Sequence, residues 1–482
     1  MNRRGMTLIE MLVAMTATLI LMGAIARVFS VFGTAITNSR AVLATDAQLR
    51  TAAWRLRSDL SGITCRTLPP RGPDAGEGYF ELIEGPAKDA DASDATTIGP
   101  ADHDDVLLFT TRSADTPFVG RAPSLSGTTA GGQNDLFESN VAEVAWFARP
   151  TLPATNPPTF TLYRKQLLVM GYVGTDPFYS SSPGSNNSLS MPLSIAPGST
   201  YPNGVNIQNW NNYYNLPCDV SVRWERGTTL YPNTLADLTR RENRFMHNVI
   251  GTSAAFPFPF VAHQFGSNST SYEDLAGTNV NGLIFDNNSA RKGEDVVLTN
   301  VLSFDVRVFD PAAPVAISAS GNTALVPGDP LYPPAIVNGG PVASGAYVDL
   351  GVGIFSNSLL SGSQIYPRFA GYGLPQSQLV GSAGTRRTYD TWSTHYEANG
   401  RDEDSSGTAD EGTDGIDNNS DGQIDEVPVD TNGDGVPDIA GELETSPPYP
   451  FPLRGVEVRL RCYEPSSGQV RQMTVRHSFV PH

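Results

Sequence analysis

Apolar positions open the chain as one run. From Met6 to Ala26 the only charge is Glu10, and Arg3 and Arg4 stand before it. As a helix this 21-residue run would span about 31 Å, which matches a hydrocarbon core of about 30 Å. Beyond it, Val42, Leu49, Ala53, Leu56, Leu60 and Ile63 recur at intervals of three, four or seven, giving one apolar stripe at helical period. Arg50, Arg55, Arg57 and Asp59 lie mostly off that stripe. The pattern predicts one helix from Met6 to about Ile63, with its second half packed on a globular body. Gly23 and Gly33 weaken it modestly; Gly62 and then Pro69-Pro70 end it.

Downstream the period changes. Asp105–Thr111, Val141–Ala148, Thr159–Arg164, Asp219–Trp224, Asp295–Phe309, Arg454–Tyr463 and Val470–Val480 are rich in β-branched and aromatic residues and read as strands. The last two flank Pro465-Ser466-Ser467-Gly468, a turn cluster, and predict a C-terminal hairpin. Leu235–Val249 reads as a short helix. Gly-, Ser-, Asn- and Pro-rich stretches at about Tyr172–Asn215, Gly251–Lys292 and Pro311–Ser446 read as surface insertions. A long helix followed by antiparallel strands is an α+β arrangement.

Three readings compete for the N-terminus. A secretory signal peptide would use Ala24-Ile25-Ala26 as its cleavage site. A generic single-pass anchor needs only the apolar run. Neither accounts for Glu10, because a carboxylate in an apolar span costs several kcal/mol unless paired. The segment Gly5-Met6-Thr7-Leu8-Ile9-Glu10 resembles the processing site of type IV prepilins. The resemblance implies cleavage between Gly5 and Met6 by a prepilin peptidase, methylation of the new N-terminus, and Glu10 as the fifth mature residue. It also implies that Glu10 compensates the N-terminal amine of a neighbouring subunit during filament assembly. Two opposite charges in lipid are each costly alone and much less so together. The leading arginines place the N-terminus on the cytoplasmic side.

The order of the body segments resembles the J-type minor pseudopilin of type II secretion and the W-type minor pilins. Phe451-Pro452-Leu453-Arg454 stands where that family often has Leu-Pro before its last strand pair. The resemblance implies a pilin-like fold: a long transmembrane and amphipathic helix packed on antiparallel sheets. It implies partners among the major and minor pilins or pseudopilins, including the I- and K-type subunits, at or near a filament tip. Its location would be the bacterial inner membrane with the body in the periplasm, then the pseudopilus or pilus. The long insertions depart from the pattern and put in doubt a tip role copied from smaller relatives.

Composition adds limits. The chain has 482 residues with 46 glycines and 37 prolines, none of the prolines before Pro69. The loop-rich composition fits a β body, and the proline-free start permits the long helix. Net charge is −18, which argues against a nucleic-acid partner. That acidity is local: Asp402 to Glu444 holds fifteen acids and no lysine or arginine, and without it the chain sits near −3. Cys65, Cys218 and Cys462 form no CxxC pair, so a zinc or redox site is not indicated. One disulfide among them is open if the body is exported, with the pairing unassigned.

The acidic block repeats one pattern three times. The first copy is Asp402, Asp404, Ser406, Gly407 and Asp410; the second Asp417, Asn419, Asp421, Gly422 and Asp425; the third Asp430, Asn432, Asp434, Gly435 and Asp438. Calcium takes six to eight oxygens. Alternating acids supply them at loop positions one, three and five, glycine makes the turn at six, and a backbone carbonyl follows at seven. Those carbonyls belong to Thr408, Gln423 and Val436. No copy has the Glu at position twelve of an EF-hand, and Glu411, Asp414, Glu426 and Glu442 are candidates for the missing carboxylate. The block resembles the loops of thrombospondin type 3 and dockerin-like repeats, which implies structural calcium. The plain alternative is a solvated acidic linker, which has no reason to place glycine at one offset three times.

No catalytic constellation stands out. The sequence has no HExxH, G-x-S-x-G or Walker A motif, and Gly351–Ser356 lacks the third glycine of a dinucleotide loop. The expected organisation is a leader at 1–5, a helix at 6–63 with 6–26 in the membrane, a β-rich body at 64–398 and 447–482, and the calcium repeats at 399–446. A membrane-anchored or secreted calcium-dependent binding module is the alternative to a filament subunit. Neither is an enzyme.

Overall fold

The computed structural model describes residues 7–67, 75–84, 102–123, 134–151, 155–171, 219–225, 229–245, 293–317, 343–350, 387–391, 407–425 and 453–480, with shorter pieces between them. Helix α1 runs Leu8–Ser61, 54 residues without a break, or about 80 Å. Its first half touches no other described element: Leu12, Leu19, Met22, Phe29 and Phe32 are all exposed. Its last turns bury Leu49, Ala52, Ala53, Leu56, Asp59 and Leu60. The predicted stripe is the packed face, and each buried leucine contributes about 1.5–3 kcal/mol. Two adjacent alanines let the helix lie close to the sheet.

The helix ends where the sheet begins. Gly62 donates to the Asp59 carbonyl, and Arg112 donates to the Gly62 carbonyl at 2.7 Å. A Cβ on Gly62 would sit 2.2 Å from the Arg112 carbonyl oxygen, so this crossing requires glycine.

The body is a ten-stranded sheet. Its strands are β1 (Phe80–Glu84), β2 (Val106–Arg112), β3 (Val141–Pro150), β4 (Phe160–Leu168), β5 (Val296–Ile317), β6 (Ala324–Leu325), β7 (Ala343–Val348), β8 (Arg387–Asp390), β9 (Gly455–Glu464) and β10 (Gln469–Ser478). They lie in the order β8-β1-β2-β3-β4-β5-β9-β10, with β6 and β7 also paired to β5. All these pairs are antiparallel. With the helix on one face, the chain is α+β and pilin-like. Phe304, Val306, Trp146, Leu107, Val458 and Leu460 build the core under α1.

β5 has an unusual neighbourhood. On one edge it pairs with β9 from Val301 to Val308. On the other it pairs with β4 at Val296–Val301 and with β7 at Val308–Val315. The gap is filled by Asp102–Asp105: Phe304 donates to the Asp102 carbonyl at 3.0 Å, and Val306 donates to the Asp105 carboxylate at 2.6 Å.

Two buried charge clusters join sheet to surroundings. Asp59 on α1 takes both arms of Arg164 on β4 at 2.7 Å each and the Trp146 indole N–H at 2.9 Å. At the far edge, Arg241 and Arg244 each pair with Glu81 of β1 and Asp390 of β8. The Arg244 guanidinium lies 4.2 Å from the Tyr79 ring centre. Burial holds the Tyr79 phenol well above its usual pKa, and the Glu143 carboxylate it bonds at 2.7 Å acts in the same direction.

That second cluster corrects the short helix expected over Leu235–Val249. The segment forms two single 3-10 turns, Asp237–Thr239 and Arg241–Asn243, then a strand at His247–Val249. Sending Arg241 and Arg244 together into the Glu81–Asp390 pair fixes the backbone through tertiary bonds that helix propensity does not anticipate. Pro311–Ser446 is also more ordered than a loop insertion: β5 continues to Ile317, and β6, β7 and β8 follow. The expected insertion at Tyr172–Asn215 and most of Gly251–Lys292 lie outside the described residues, as do Gly351–Ser356 and Phe451-Pro452. Cys65 and Cys462 are buried free thiols, and Cys218 lies outside the described residues.

Candidate functional site: an anchored N-terminus and acidic loops

The second acidic loop is described in full. Asp417 accepts from the Asp421 and Gly422 amides at 3.1 and 2.9 Å through its two oxygens. Asn419 Oδ1 accepts from Asp421 at 2.9 Å, and Asp421 Oδ1 accepts from Gln423 at 2.8 Å. The side-chain oxygens at positions one, three and five therefore turn toward the loop's own backbone. Gly422 has φ +96° and sits in open space. There the requirement for glycine is conformational rather than steric.

Glu442, one of the candidates for the missing carboxylate, reaches this loop. It is buried, and its oxygens accept from Asn419 at 2.9 Å and Asp425 at 2.8 Å. Asp414 instead serves its own turn, accepting from Ile416 and Asn418. Asp425 Oδ1 accepts from the Gly415 amide at 3.0 Å. Asp410 of the first loop accepts from Gly400 at 2.9 and 2.8 Å, the same ten-residue closure. Asp410 and Asp425 both take positive φ, as do Gly407 and Gly422. The first two sequence repeats are thus also repeats in conformation where both are described. Thr408 and Glu411 are described, whereas Asp402, Asp404, Ser406, Glu426 and the third loop (Asp430, Asn432, Asp434, Val436, Asp438) lie outside the described residues. The all-oxygen donor set around Asp417, Asn419, Asp421, Gln423, Asp425 and Glu442 suits a hard cation.

At the start of the chain, Thr7 caps α1. Its hydroxyl accepts from the Glu10 amide at 3.3 Å, while a Glu10 carboxylate oxygen accepts from the Thr7 amide and hydroxyl at 2.9 Å each. This is a capping box. It places the carboxylate at the positive end of the helix dipole. The Thr-x-x-Glu spacing is the sequence signal for it, and it gives Thr7 a structural part in holding the Glu10 carboxylate. Within the apolar half, Thr16 donates to the Leu12 carbonyl, Thr34 to Ser30 and Thr37 to Gly33, so these hydroxyls are satisfied inside the helix. Gly5 and Met6 lie outside the described residues.

A family model described as the prokaryotic N-terminal methylation motif matches residues 1–26. The N-terminus is that of a type IV prepilin-like protein. No curated protein and no solved structure matches the chain.

For a prepilin-like chain, α1 has a double role. Among the described residues it is the one helix long and apolar enough to cross a membrane, and with the methylation motif it is a membrane-anchoring segment. Its last turns belong to the body's core. A structural pilin-type subunit that other pilins contact and a prepilin peptidase processes is the class this motif indicates.

Proposed function

We propose that this chain is a minor pseudopilin or minor pilin, of J or W type. It is cut between Gly5 and Met6 by prepilin peptidase and assembled into a type II secretion pseudopilus or type IV pilus at or near the tip. The observation that carries the reading is the methylation motif on a helix whose apolar half is wholly exposed while one face of its last turns packs into the core. An exposed apolar half needs lipid or neighbouring helices around it, and a filament core supplies the second after a membrane supplies the first. The Glu10 carboxylate beside the Thr7 amide stands one residue from the amine that cleavage before Met6 would create. In a filament it would compensate the amine of an adjoining subunit. The body would wait in the periplasm and dock with partners such as the I- and K-type subunits.

The acidic loops are read as structural calcium sites that stiffen this body. Glu442 braces the second loop through the Asn419 and Asp425 amides, and its carboxylate and those of Asp417, Asp421 and Asp425 would surround the ion.

The deciding experiment is the intact mass of the N-terminal peptide from membranes. An N-methylated peptide starting at Met6 is expected. A start at Arg27 would overturn the filament reading and leave an exported calcium-dependent binding module. Calcium has its own test, limited proteolysis with and without chelator. Cuts between residues 400 and 445 should appear only after chelation, and an unchanged pattern would reduce the block to a solvated acidic linker.

A further inference from the structure

Helix α1 carries a second stripe, on the side turned away from the sheet. Beyond the apolar run, Ile36, Leu43 and Trp54 are 53%, 69% and 67% exposed. Arg40, Arg50 and Arg57 are exposed between them, as are the small residues Ala47 and Ser61. From Ile36 to Ser61 these positions follow one another at alternating intervals of four and three, the spacing of a helix–helix seam. At about 100° per residue, the seam is centred about 150° round the helix from the face that the body buries. The packed face and the seam are therefore separate surfaces.

Lipid does not cover this seam. Along the helix axis Leu43 and Trp54 stand about 25 and about 42 Å beyond Ala26, where the apolar run stops. The charge of the seam is one-sided. Asp46 pairs with Arg50 at 2.7 Å, while Arg40 and Arg57 have no acidic partner among the described residues. Asp59, the other acid between Ile36 and Ser61, faces the body and Arg164. A second copy of the chain fits this surface poorly. Two helices anchored in one membrane run parallel. In register, Arg40, Arg50 and Arg57 would each meet their own counterpart. One heptad out of register, Arg50 would meet Arg57. Like charges held together across an interface are costly.

We propose that this seam docks a helix of a different protein, parallel to α1, with acidic residues opposite Arg40, Arg50 and Arg57 and an apolar hollow for Trp54. Tryptophan and arginine are the side chains that most often anchor an interface. The arginines select the partner by charge, and Trp54 contributes the apolar area. The chain then stands beside unlike subunits and does not repeat along this face. Such a neighbour presupposes the filament reading, to which the seam adds the chemistry of the contact.

The test uses the full chain in detergent and two labelled synthetic helices of about four heptads, alike except for Glu or Lys at the positions facing the arginines. Fluorescence anisotropy reads binding. The Glu helix should bind at least about tenfold more tightly than the Lys helix. Arg50→Glu/Arg57→Glu should reverse that preference. Trp54→Ala should weaken the Glu helix without any change of charge, which general attraction to a basic surface would not produce. Arg454→Glu, an exposed arginine off the helix, should leave binding as it was. Equal binding of the two helices overturns the seam, and so does a preference that Arg454→Glu shifts as much as the double variant. A disulfide-linked homodimer of Ala47→Cys, made in a Cys218→Ser chain, would overturn it too by showing a second copy on this face. Binding to the purified chain does not depend on processing. An N-methylated peptide starting at Met6 together with no Glu preference would therefore sink the seam and leave the filament reading standing.

Discussion

Removing Asp59 should undock the helix from the body. The Asp59 and Arg164 side chains are 4% and 3% exposed, and their bonds are 2.7 Å. In Asp59→Ala the guanidinium stays inside with its charge and no carboxylate, a change that costs about 3–5 kcal/mol. Trp146 loses the acceptor of its indole N–H as well. Arg55, whose pKa burial lowers first and the Arg164 charge lowers further, loses the one carboxylate that opposed that trend. The control is Asp59→Ala/Arg164→Met, which removes both charges. Apolar groups of similar volume often replace a buried pair at little cost, so the double variant should be more stable than the single one. Urea unfolding of the detergent-solubilised chain, followed by tryptophan fluorescence, measures both. Trypsin cleavage at Arg55 and Arg57, which helix docking protects, reports the same event locally. A loss below about 1 kcal/mol in the single variant, at the level of an exposed ion pair, would refute the claim that this contact docks the helix. So would a double variant no better than the single.

Two further predictions concern the body. Burial pushes the Cys65 and Cys462 thiols up to about 12, so neither holds a useful thiolate fraction at pH 8. Native protein treated with a disulfide reagent should be labelled at neither, with both reacting after unfolding; labelling of either in the native chain contradicts the packing described. His477, half-buried beside Phe479, has its pKa lowered from 6.5 by burial. The unfolded chain then binds the proton more tightly, so this contribution is complete above pH 6.5 and is lost as pH falls through the lowered value. His477→Gln should flatten the stability profile between pH 7 and 5, and an NMR titration giving a value above 6.5 would reverse the sign.

The sequence by itself determined those features that local order encodes. The apolar run, the stripe through Leu49, Leu56 and Leu60, and the glycine at 62 are short-range patterns, and α1 follows them nearly to the residue. The strands at 106–112 and 141–150, and β5 as far as Phe309, follow β-branched runs in the same way. The prepilin motif is likewise a contiguous string, and so are the spacings of the second acidic loop, whose positive-φ glycine falls at the turn position that the spacing marks.

Tertiary structure decided what depends on residues far apart. β1 and β8 are short, and they become strands by pairing with each other across some three hundred residues. Arg241 and Arg244 left helical geometry to meet Glu81 and Asp390. Glu442 found the second loop, Asp59 found Arg164, and Asp102–Asp105 found the gap along β5. None of these partners carries a mark of the other in its own neighbourhood, because a buried charge is satisfied by whichever opposite group the fold delivers, and only the assembled sheet fixes which one that is.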